Sequence, residues 1–281
     1  MAIKITKMQG CGNDFVILDY EEFKKMNCEM SEAAKKLCDR NFGIGADGLI
    51  IPNTNTNDTD IGWDFYNSDG STAQMCGNGM RCFAKYVYDK SLVDKKEFTV
   101  KTLAGIMTPQ IMDDGQIRVN MSKPILESEK IPFLPNHNLN YKISVKNRIF
   151  EGNAISMGNP HFVIFIKDDE NLLELAKKYG PEIELGAEFP EKTNVEFIKI
   201  KSYKKIELCV WERGCGITLA CGTGACASVV AGVLNGLLEN SVDVILLGGT
   251  VNVTWNGTPN KPDGDVFLTG PAEYVFEAIL N

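Results

Sequence analysis

Apolar and polar residues alternate along much of the chain, and this pattern predicts a protein built mainly of strands with a few helices. Strict alternation is typical of strands because successive side chains point to opposite faces, and glycine-containing turns interrupt it. In the first half, helical spacing predicts a helix over residues 31–39, with Ser31 as its N-cap, and another over 78–90. The strands of this half are predicted in the stretches 3–19, 42–51, 64–67 and 98–120.

A segment with a different composition separates the two halves. Residues 122–140 contain three prolines and show little periodicity, so they are predicted to form a crossover between domains. Beyond it, helices are predicted near 172–179 and after Cys221. The strands of the second half are predicted over 141–145, 154–166, 193–200 and 205–211, and in the region from 251 onward.

One short motif occurs twice. The chain reads MCGNGMRCFAKYV around Cys76 and ACGTGACASVVAGVL around Cys221, each a Cys-Gly-polar-Gly turn followed by a helical pattern. Both sulfurs are therefore predicted to lie in the first turn of a helix, where unpaired backbone N–H groups and the helix dipole favour negative charge. A thiol in that position is expected to lose its proton more easily than one in water.

Other landmarks repeat at nearly the same interval as the two cysteines, which are 145 residues apart. The Gly-Asn pairs ending at Asn13 and Asn159 are 146 residues apart, and both lead into Phe-Val-Ile. Nine residues before each cysteine, Asn67 and Glu212 each follow an aromatic residue. This shared order predicts two similar α/β halves that arose by duplication.

Composition limits the classes of partner. The 281 residues carry a net charge of −8, which argues against nucleic acid or an anionic membrane surface as the main partner. No run of 18 apolar residues occurs, so no membrane-spanning helix is expected, and the N-terminus lacks the apolar region of a signal peptide. The nine cysteines do not resemble a secreted disulfide framework. We therefore expect a cytoplasmic protein with reduced thiols.

Two thiols at helix starts suit a particular chemistry. If a substrate carboxylate binds the N–H groups of both helices, its α-carbon can lie between the sulfurs of Cys76 and Cys221. One sulfur as thiolate then removes the α-proton while the other, as thiol, returns a proton to the opposite face. Such two-base epimerisation needs no pyridoxal phosphate, so we expect neither that cofactor nor any other.

Motifs spread over nearly the whole chain indicate a family. The segments MQGCGNDFVILD, NSDGSTAQMCGNGMRC, MGNPHF, TNVEF, WERGCGITLACGTGA and FLTGPA occur in this order, and with them the chain resembles the diaminopimelate epimerase family. The resemblance implies an isomerase that interconverts L,L- and meso-2,6-diaminopimelate in lysine and peptidoglycan precursor biosynthesis. It also implies an α/β (α+β) fold shared with proline racemase, with two pseudo-symmetric domains, each a curved sheet around a central helix.

The resemblance further implies domain boundaries and an assembly. Residues 1–120 would form the N-terminal half carrying Cys76, and residues 121–266 the C-terminal half carrying Cys221. The last strand, near 267–281, would return to the first half. Members of this family often form homodimers.

Roles for individual residues also follow from the resemblance. Cys76 and Cys221 match the acid/base pair, and no metal ligands are implied. The remaining matches are substrate contacts in three groups. The family residues that cradle the carboxylate match Gly77, Asn78, Gly222 and Thr223. Those that hold the distal end of the substrate match Asn67, Asn159, Asn194 and Arg213. Polar residues near the reacting centre match Asn13, His161 and Glu212. An arginine fork suits a distal carboxylate, and Glu212 could accept from the α-ammonium.

One position departs from the family pattern, since a glutamine common in its GADQ-type turn is Gly48 here.

Other functions also stay open. A proline or hydroxyproline racemase of the two-cysteine type is the nearest alternative, but its motifs resemble MCGHG and SPCGTG. A non-catalytic amino-acid binder or a thiol sensor is a second. The cysteine spacings fit no common zinc site, and the glycine turns fit no nucleotide-binding motif.

Overall fold

The computed structural model describes residues 2–167 and 169–281. The chain divides into two compact units: unit 1 comprises Met1–Asn120 with Thr269–Asn281, and unit 2 comprises Met121–Leu268. Each unit is a sheet with helices packed against it, which confirms the predicted α/β (α+β) class.

Unit 1 begins with a hairpin formed by β1 (Ile3–Gly10) and β2 (Asn13–Ile17). The two turn residues, Cys11 and Gly12, have φ angles of 54° and 83°. Positive φ at both positions is what a two-residue hairpin turn requires, and it is unusual for cysteine. The turn places Asn13 at the start of β2.

The helices of unit 1 are α1 (Tyr20–Lys24), α2 (Met30–Cys38) and α3 (Gly77–Asp89). Its remaining strands are β3 (Gly48–Asn53), β4 (Ile61–Asn67), β5 (Val100–Thr102), β6 (Gly105–Met107), β7 (Gln110–Ile111), β8 (Ile117–Asn120) and, from the end of the chain, β18 (Glu273–Leu280). The main sheet has the order β18-β1-β2-β3-β4-β5-β6.

The prediction of Ser31 as the N-cap of α2 is wrong. The cap is Glu29, which makes no capping bond with its side chain, and Ser31 lies in the first turn. Its hydroxyl donates instead to the carbonyl of Gly70 at 2.7 Å. The serine therefore ties α2 to the turn that follows β4, a contact between residues distant in sequence.

Unit 2 starts with an irregular segment in which residues Ser128–Lys130 form one 3₁₀ turn. Its helices are α4 (Leu172–Glu184) and α5 (Gly222–Leu234). Its strands are β9 (Tyr141–Val145), β10 (Arg148–Ser156), β11 (Pro160–Phe165), β12 (Asn194–Ser202), β13 (Lys205–Glu212), β14 (Gly216–Ile217), β15 (Ser241–Leu246), β16 (Gly249–Trp255) and β17 (Val266–Gly270), the last of which ends beyond the unit boundary.

The two units repeat one order of strand pairing. In unit 1, β18·β1 and β1·β2 are antiparallel, β2·β3 parallel, β3·β4 antiparallel and β4·β5 parallel. In unit 2, β9·β10 and β10·β11 are antiparallel, β11·β12 parallel, β12·β13 antiparallel and β13·β15 parallel. In each unit the helix beginning after a cysteine precedes the last of these strands. The internal repetition predicted from the landmarks is therefore present in the topology.

The helices α3 and α5 are the most buried helices of their units. Every residue of α5 from Gly224 to Val233 is buried, and so is every residue of α3 from Gly77 to Ala84. A helix that is apolar on all faces, as α5 is, must be surrounded by other elements. Each buried valine contributes roughly 1.5–3 kcal/mol relative to an exposed one. Burial of the helix body fixes where its first turn, with the cysteine, is held.

No helix in residues 2–167 and 169–281 is both long and apolar enough to cross a bilayer.

Candidate functional site

Cys76 is the N-cap of α3. Its backbone is extended, with φ −143° and ψ 120°, and its Sγ accepts a hydrogen bond from the Gly79 N–H at 3.5 Å. The sulfur thus occupies the position of a capping oxygen, facing donors that have no acceptor within the helix. The predicted location in the first turn is confirmed.

Asn13 sets the direction of the hydrogen bonds at Cys76. The Cys76 thiol donates to Asn13 Oδ1 at 3.5 Å, and Asn78 Nδ2 donates to the same oxygen at 3.2 Å. Asn13 Nδ2 donates to Asp47 Oδ2 at 2.5 Å. Because a carboxylate only accepts, Asp47 orients the amide with its oxygen toward the sulfur. This arrangement favours the protonated thiol at Cys76.

Asp47 is itself held in a network of charges. Arg40 Nη2 lies 2.8 Å from Asp47 Oδ1 and 2.8 Å from Asp14 Oδ1, and Lys7 Nζ lies 2.6 Å from Asp14 Oδ2. Burial acts to raise the pKa of Asp14, but hydrogen bonds from Arg40 and Lys7 outweigh it and hold that pKa below its usual value. The network anchors the start of β2.

Arg81 fixes the Asn78 amide from the other side. This arginine is fully buried, and it donates to Asn78 Oδ1 at 2.9 Å and to the Pro271 carbonyl at 3.0 Å. A third contact joins Nη2 to the sulfur of Cys11 at 3.7 Å. Since the guanidinium only donates, Asn78 must direct its NH₂ group to Asn13. Asn13, Asp47, Cys76, Asn78 and Arg81 form what we call the Cys76 cluster.

Asn67 lies at the end of β4, in register with Gly48 of β3. Its Nδ2 donates to Ser71 Oγ at 3.0 Å. A Cβ added at Gly48 would lie 2.6 Å from a ring carbon of Phe65 and 2.8 Å from the Tyr66 carbonyl oxygen. Packing of β4 therefore leaves no space for a side chain at Gly48. A residue with a side chain could replace this glycine only if β4 shifted.

Cys221 is the N-cap of α5 in the same geometry. Its backbone is extended, and its Sγ accepts from the Gly224 N–H at 3.4 Å. The sulfur also lies 3.5 Å from Thr223 Oγ1, which accepts from Asn159 Nδ2 at 3.3 Å. The second predicted location of a thiol in a first turn is confirmed.

A chain of polar contacts continues from Asn159 into the sheet. Asn159 Oδ1 lies 3.0 Å from His161 Nε2, and His161 Nδ1 lies 2.7 Å from Glu196 Oε1. His161 and Glu196 are fully buried on the adjacent parallel strands β11 and β12. Cys221, Thr223, Asn159, His161 and Glu196 form what we call the Cys221 cluster.

Glu212 lies beside this cluster at the end of β13. The Thr218 hydroxyl makes a short hydrogen bond with its carboxyl group. Burial raises the pKa of Glu212, and the hydrogen bond from Thr218 opposes that shift. Burial is also the largest cause of the raised pKa of Cys221, followed by the charges of Glu212 and Glu196. The expectation that a helix start lowers the thiol pKa is therefore wrong for Cys221, because desolvation outweighs the helix N-terminus.

Arg213 and Asn194 are joined to each other. The Arg213 N–H donates to Asn194 Oδ1 at 2.9 Å, and Asn194 Nδ2 donates to the Pro160 carbonyl at 2.8 Å. The guanidinium donates to the Glu191 carbonyl at 3.0 Å. Asn194 thus holds the ends of β11 and β13 in place, and it positions the backbone from which Arg213 extends.

Sequence reasoning missed four residues that support the predicted ones: Asp47, Arg81, Glu196 and Thr218. Asp47 and Glu196 lie within the GADG and TNVEF segments, and Glu196 is two residues from Asn194, on the same side of β12. That spacing was a usable signal. Within residues 2–167 and 169–281, no group of three or more His, Cys, Asp or Glu side chains is arranged to hold a metal ion.

The chain is similar to known proteins over its whole length. A family model described as diaminopimelate epimerase matches residues 5–127 and 153–275. Proteins named diaminopimelate epimerase from Halothermothrix orenii and Desulfitobacterium hafniense are each 46% identical to it; the alignments cover 98% and 99% of this chain and 97% and 98% of those proteins. A protein of the same name from Synechocystis is 41% identical, with 98% of each chain covered.

Solved structures share the fold at low sequence identity. A hydroxyproline epimerase from Agrobacterium vitis superposes with a TM-score of 0.68 at 11% identity, covering 99% of this chain and 92% of that one. A probable proline racemase from Agrobacterium radiobacter gives a TM-score of 0.69 at 16% identity, with coverage of 99% and 93%. These two show the fold alone, whereas the family model and the close relatives show that the chain belongs to the diaminopimelate epimerase family.

Proposed function

We propose that this protein is an isomerase that interconverts L,L- and meso-2,6-diaminopimelate by a two-base mechanism without a cofactor. The observation that carries the proposal is that each unit begins its most buried helix with a cysteine whose sulfur caps that helix. A chain with one such thiol per repeated unit can supply one proton carrier for each face of an α-carbon.

The first turns of α3 and α5 would bind the substrate α-carboxylate. Backbone N–H groups of Gly77, Asn78, Gly222 and Thr223 lie in these turns, where helices offer donors and a positive dipole end. As the α-proton leaves, negative charge moves onto the carboxylate, and fixed donors stabilise it more strongly than they stabilise the ground state. This stabilisation would take the place of a cofactor electron sink.

The two sulfurs begin with different hydrogen bonds. Each sulfur accepts from an N–H of the first turn, Cys76 from Gly79 and Cys221 from Gly224. Cys76 in addition donates to Asn13 Oδ1, so it is suited to deliver a proton. We propose that Cys221 acts as base and Cys76 as acid for one stereoisomer, and that the roles exchange for the other. Each turnover then moves one proton off the α-carbon and one proton on.

The remaining predicted residues would orient the substrate. Arg213, with its forked donors, suits the distal carboxylate, and Asn67, Asn159 and Asn194 would contact the distal end. Asn13, His161 and Glu212 would lie near the reacting carbon. As the carboxylate, Glu212 can accept from the α-ammonium group.

Deuterium exchange tests the proposed reaction. Incubating the protein with L,L-diaminopimelate in D₂O should incorporate deuterium at one α-carbon and yield the meso isomer. L-proline and trans-4-hydroxy-L-proline serve as control substrates, since the fold is shared with enzymes named for them. Exchange on either control and none on diaminopimelate would reject the proposal in favour of a proline-type racemase.

The pH dependence of kcat/KM should report the ionisation of the Glu212 carboxyl group. Its pKa is raised by burial above the ordinary 4.5, so the carboxylate form that accepts from the ammonium is lost as the pH falls through that raised value. We expect the acidic limb of the profile to lie above pH 4.5, and Glu212→Gln to lower kcat/KM and remove this limb. Glu207→Gln, which changes a part-exposed carboxyl on the same strand, is the matched control. An unchanged limb in Glu212→Gln would contradict the assigned role.

We also propose that the protein works as a cytoplasmic homodimer in lysine and peptidoglycan precursor synthesis. The nine cysteines, all within the described residues, form no disulfide bond, in keeping with a reducing compartment. The edge strand β18 exposes Val275, Phe276 and Ile279, an apolar surface of the kind that a second copy can cover. Sedimentation analysis tests the assembly, and a single species with the mass of one chain would reject it.

A further inference from the structure

Glu196 is a buried carboxyl group with no role in the mechanism given above. It is fully buried on β12, and its Oε1 contacts His161 Nδ1 at 2.7 Å. Its other oxygen, Oε2, is buried without a hydrogen-bond partner in the part of the chain that the structure describes. A buried carboxyl is costly to keep, so its single contact should matter for the residue it meets.

The contacts beyond His161 have a defined direction. Asn159 Nδ2 donates to Thr223 Oγ1, so the Asn159 oxygen faces His161 Nε2. Because an amide oxygen only accepts, Nε2 carries a hydrogen. The Thr223 oxygen accepts from Asn159 Nδ2. Because a Cys221 thiolate has no hydrogen to donate, its contact with Thr223 Oγ1 at 3.5 Å can only be a hydrogen bond donated by the Thr223 hydroxyl. The sulfur then accepts from both Thr223 and the Gly224 N–H.

Glu196 lies at the end of this series of hydrogen bonds, on the side of His161 away from Cys221. With the Nε2 hydrogen committed to Asn159, the contact between His161 Nδ1 and Glu196 Oε1 needs one more hydrogen, held by either atom. In both forms the pair has no net charge. If that hydrogen were absent, Nδ1 would take the ring hydrogen, Asn159 would turn over, and Thr223 would no longer be held as a donor to Cys221.

We propose that Glu196 is a positioning residue, which acts through His161 and Asn159 to hold the Thr223 hydroxyl as a hydrogen-bond donor to the Cys221 thiolate. The proposal deepens the proposed function and rests on it for the catalytic use of Cys221. A donor at the sulfur offsets part of the cost of ionising a thiol that is only 6% exposed. Cys221 would otherwise be a poor base.

Removal of Glu196 could change the reactivity of Cys221 in either direction, depending on how the surrounding groups act on the thiolate. A negative charge on Glu212 of β13 or on Glu196 of β12 disfavours the thiolate, and the hydrogen bonds from Thr223 and Gly224 favour it. If the charge of Glu196 were its main effect, removing it would make Cys221 more reactive. If its main effect is to orient the chain, removing it would make Cys221 less reactive. We expect the second result, because the pair with His161 is neutral whereas the Thr223 hydroxyl contacts the sulfur directly.

Gly224 allows the carboxyl group to come this close to the helix start. A Cβ added at Gly224 would lie 2.7 Å from Glu196 Oε1 and 3.2 Å from the Cys221 sulfur. The carboxyl and the thiol are thus packed against the same turn of α5.

Alkylation kinetics measure the effect without using the epimerase reaction. The full-length protein is treated with iodoacetamide between pH 7 and 10, and modification of each cysteine is followed by peptide mass spectrometry. Since the thiolate is the reactive form, the rate at Cys221 reports its ionised fraction, and Cys76 in the other unit is an internal reference. Failure of the proposed function would leave this measurement intact.

Two variants separate orientation from charge. Glu196→Leu removes the hydrogen-bond partner of Nδ1, and we expect Cys221 to react about tenfold more slowly at each pH, equal to a pKa higher by about one unit. Glu196→Gln removes the charge but keeps a group that can donate to Nδ1, so its rate should stay within about twofold of the native rate. Glu207→Leu on β13 is the matched control and should leave the rate unchanged.

Faster alkylation of Cys221 in both Glu196 variants would overturn the proposal and show that charge dominates. A native rate in Glu196→Leu would overturn it as well. Thr223→Val tests the other end of the chain should Glu196→Leu fail to fold. Thr223→Val should slow alkylation of Cys221 by a similar factor. The double variant Thr223→Val with Glu196→Leu should be alkylated no more slowly than Thr223→Val alone. A native rate in Thr223→Val would remove the link on which the proposal depends.

Discussion

Replacing either Cys76 or Cys221 with alanine is expected to abolish epimerisation. Each alanine removes the proton carrier of one face, so a proton taken from the other face can only be returned to the side it left. General acid–base groups contribute about 10²–10⁴-fold to rate, and here the loss affects an obligatory step, so kcat should fall by at least about 10³-fold. The two variants should differ in what remains. Each should exchange the α-hydrogen of only one stereoisomer with D₂O, and the two should exchange opposite isomers.

The exchange pattern distinguishes loss of a base from loss of the fold. Cys28→Ala changes a part-buried thiol outside both cysteine clusters and should leave turnover and exchange as in the native protein. A mixture of Cys76→Ala and Cys221→Ala chains should give no more epimerisation than either alone if each active centre lies within one chain. Full turnover in either variant, or exchange of both stereoisomers by both, would show that the cysteines are not the two bases.

The fold was largely predictable because its strongest signals are local. The Cys-Gly-polar-Gly turns located the starts of α3 and α5 to within a residue, since the turn and the helical pattern adjoin in sequence. The strand β15 was missed although Val242, Val244 and Leu246 alternate inward. The short helix α1, which has no buried residue, gave little periodicity to read.

The candidate site was less predictable, because its contacts join residues that are far apart in sequence. Asn13 and Asp47 are 34 residues apart and Arg81 and Pro271 are 190 apart, and neither pair shares a motif. The sequence identified the groups suited to chemistry but not those that orient them. The raised pKa of Cys221 was missed for the same reason, since burial depends on the packing of α5 rather than on the motif.

The two cysteine clusters use one device with opposite results. In each, an asparagine that follows glycine connects a carboxyl group to the first turn of the helix. At Cys76 the amide oxygen faces the thiol, which favours the protonated form. At Cys221 the amide NH₂ group faces Thr223, and histidine is interposed between amide and carboxyl. The two units thus repeat one framework, and the amide takes the opposite direction in the unit where a histidine lies between amide and carboxyl.

Replacing Arg81 with methionine is expected to destabilise unit 1 by about 3 kcal/mol, since it removes the guanidinium hydrogen bonds to the buried Asn78 Oδ1 and to the part-buried Pro271 carbonyl. Relief from burying a charge offsets part of that cost, which is why the expected loss is well below the sum of three charged hydrogen bonds. Hydrogen exchange of residues 77–89 should become about 100-fold faster, while residues 222–234 in unit 2 should change little.

Comparison with a second position on α3 separates the buried hydrogen bonds from the charge. Lys85→Met removes a positive charge from the same helix at a part-exposed side chain that pairs with Asp89, so exchange should change by less than about fivefold. Arg81→Lys keeps the charge but cannot span both acceptors, so it should behave more like Arg81→Met than like the native protein. If Arg81→Lys restored native exchange, the charge would be the stabilising feature. If the amide hydrogens of α3 exchanged at the native rate in Arg81→Met, the Asn78 amide would be held by its contact with Asn13 and not by Arg81. The orientation of Asn13 that favours the protonated Cys76 thiol would then depend on Asp47 alone.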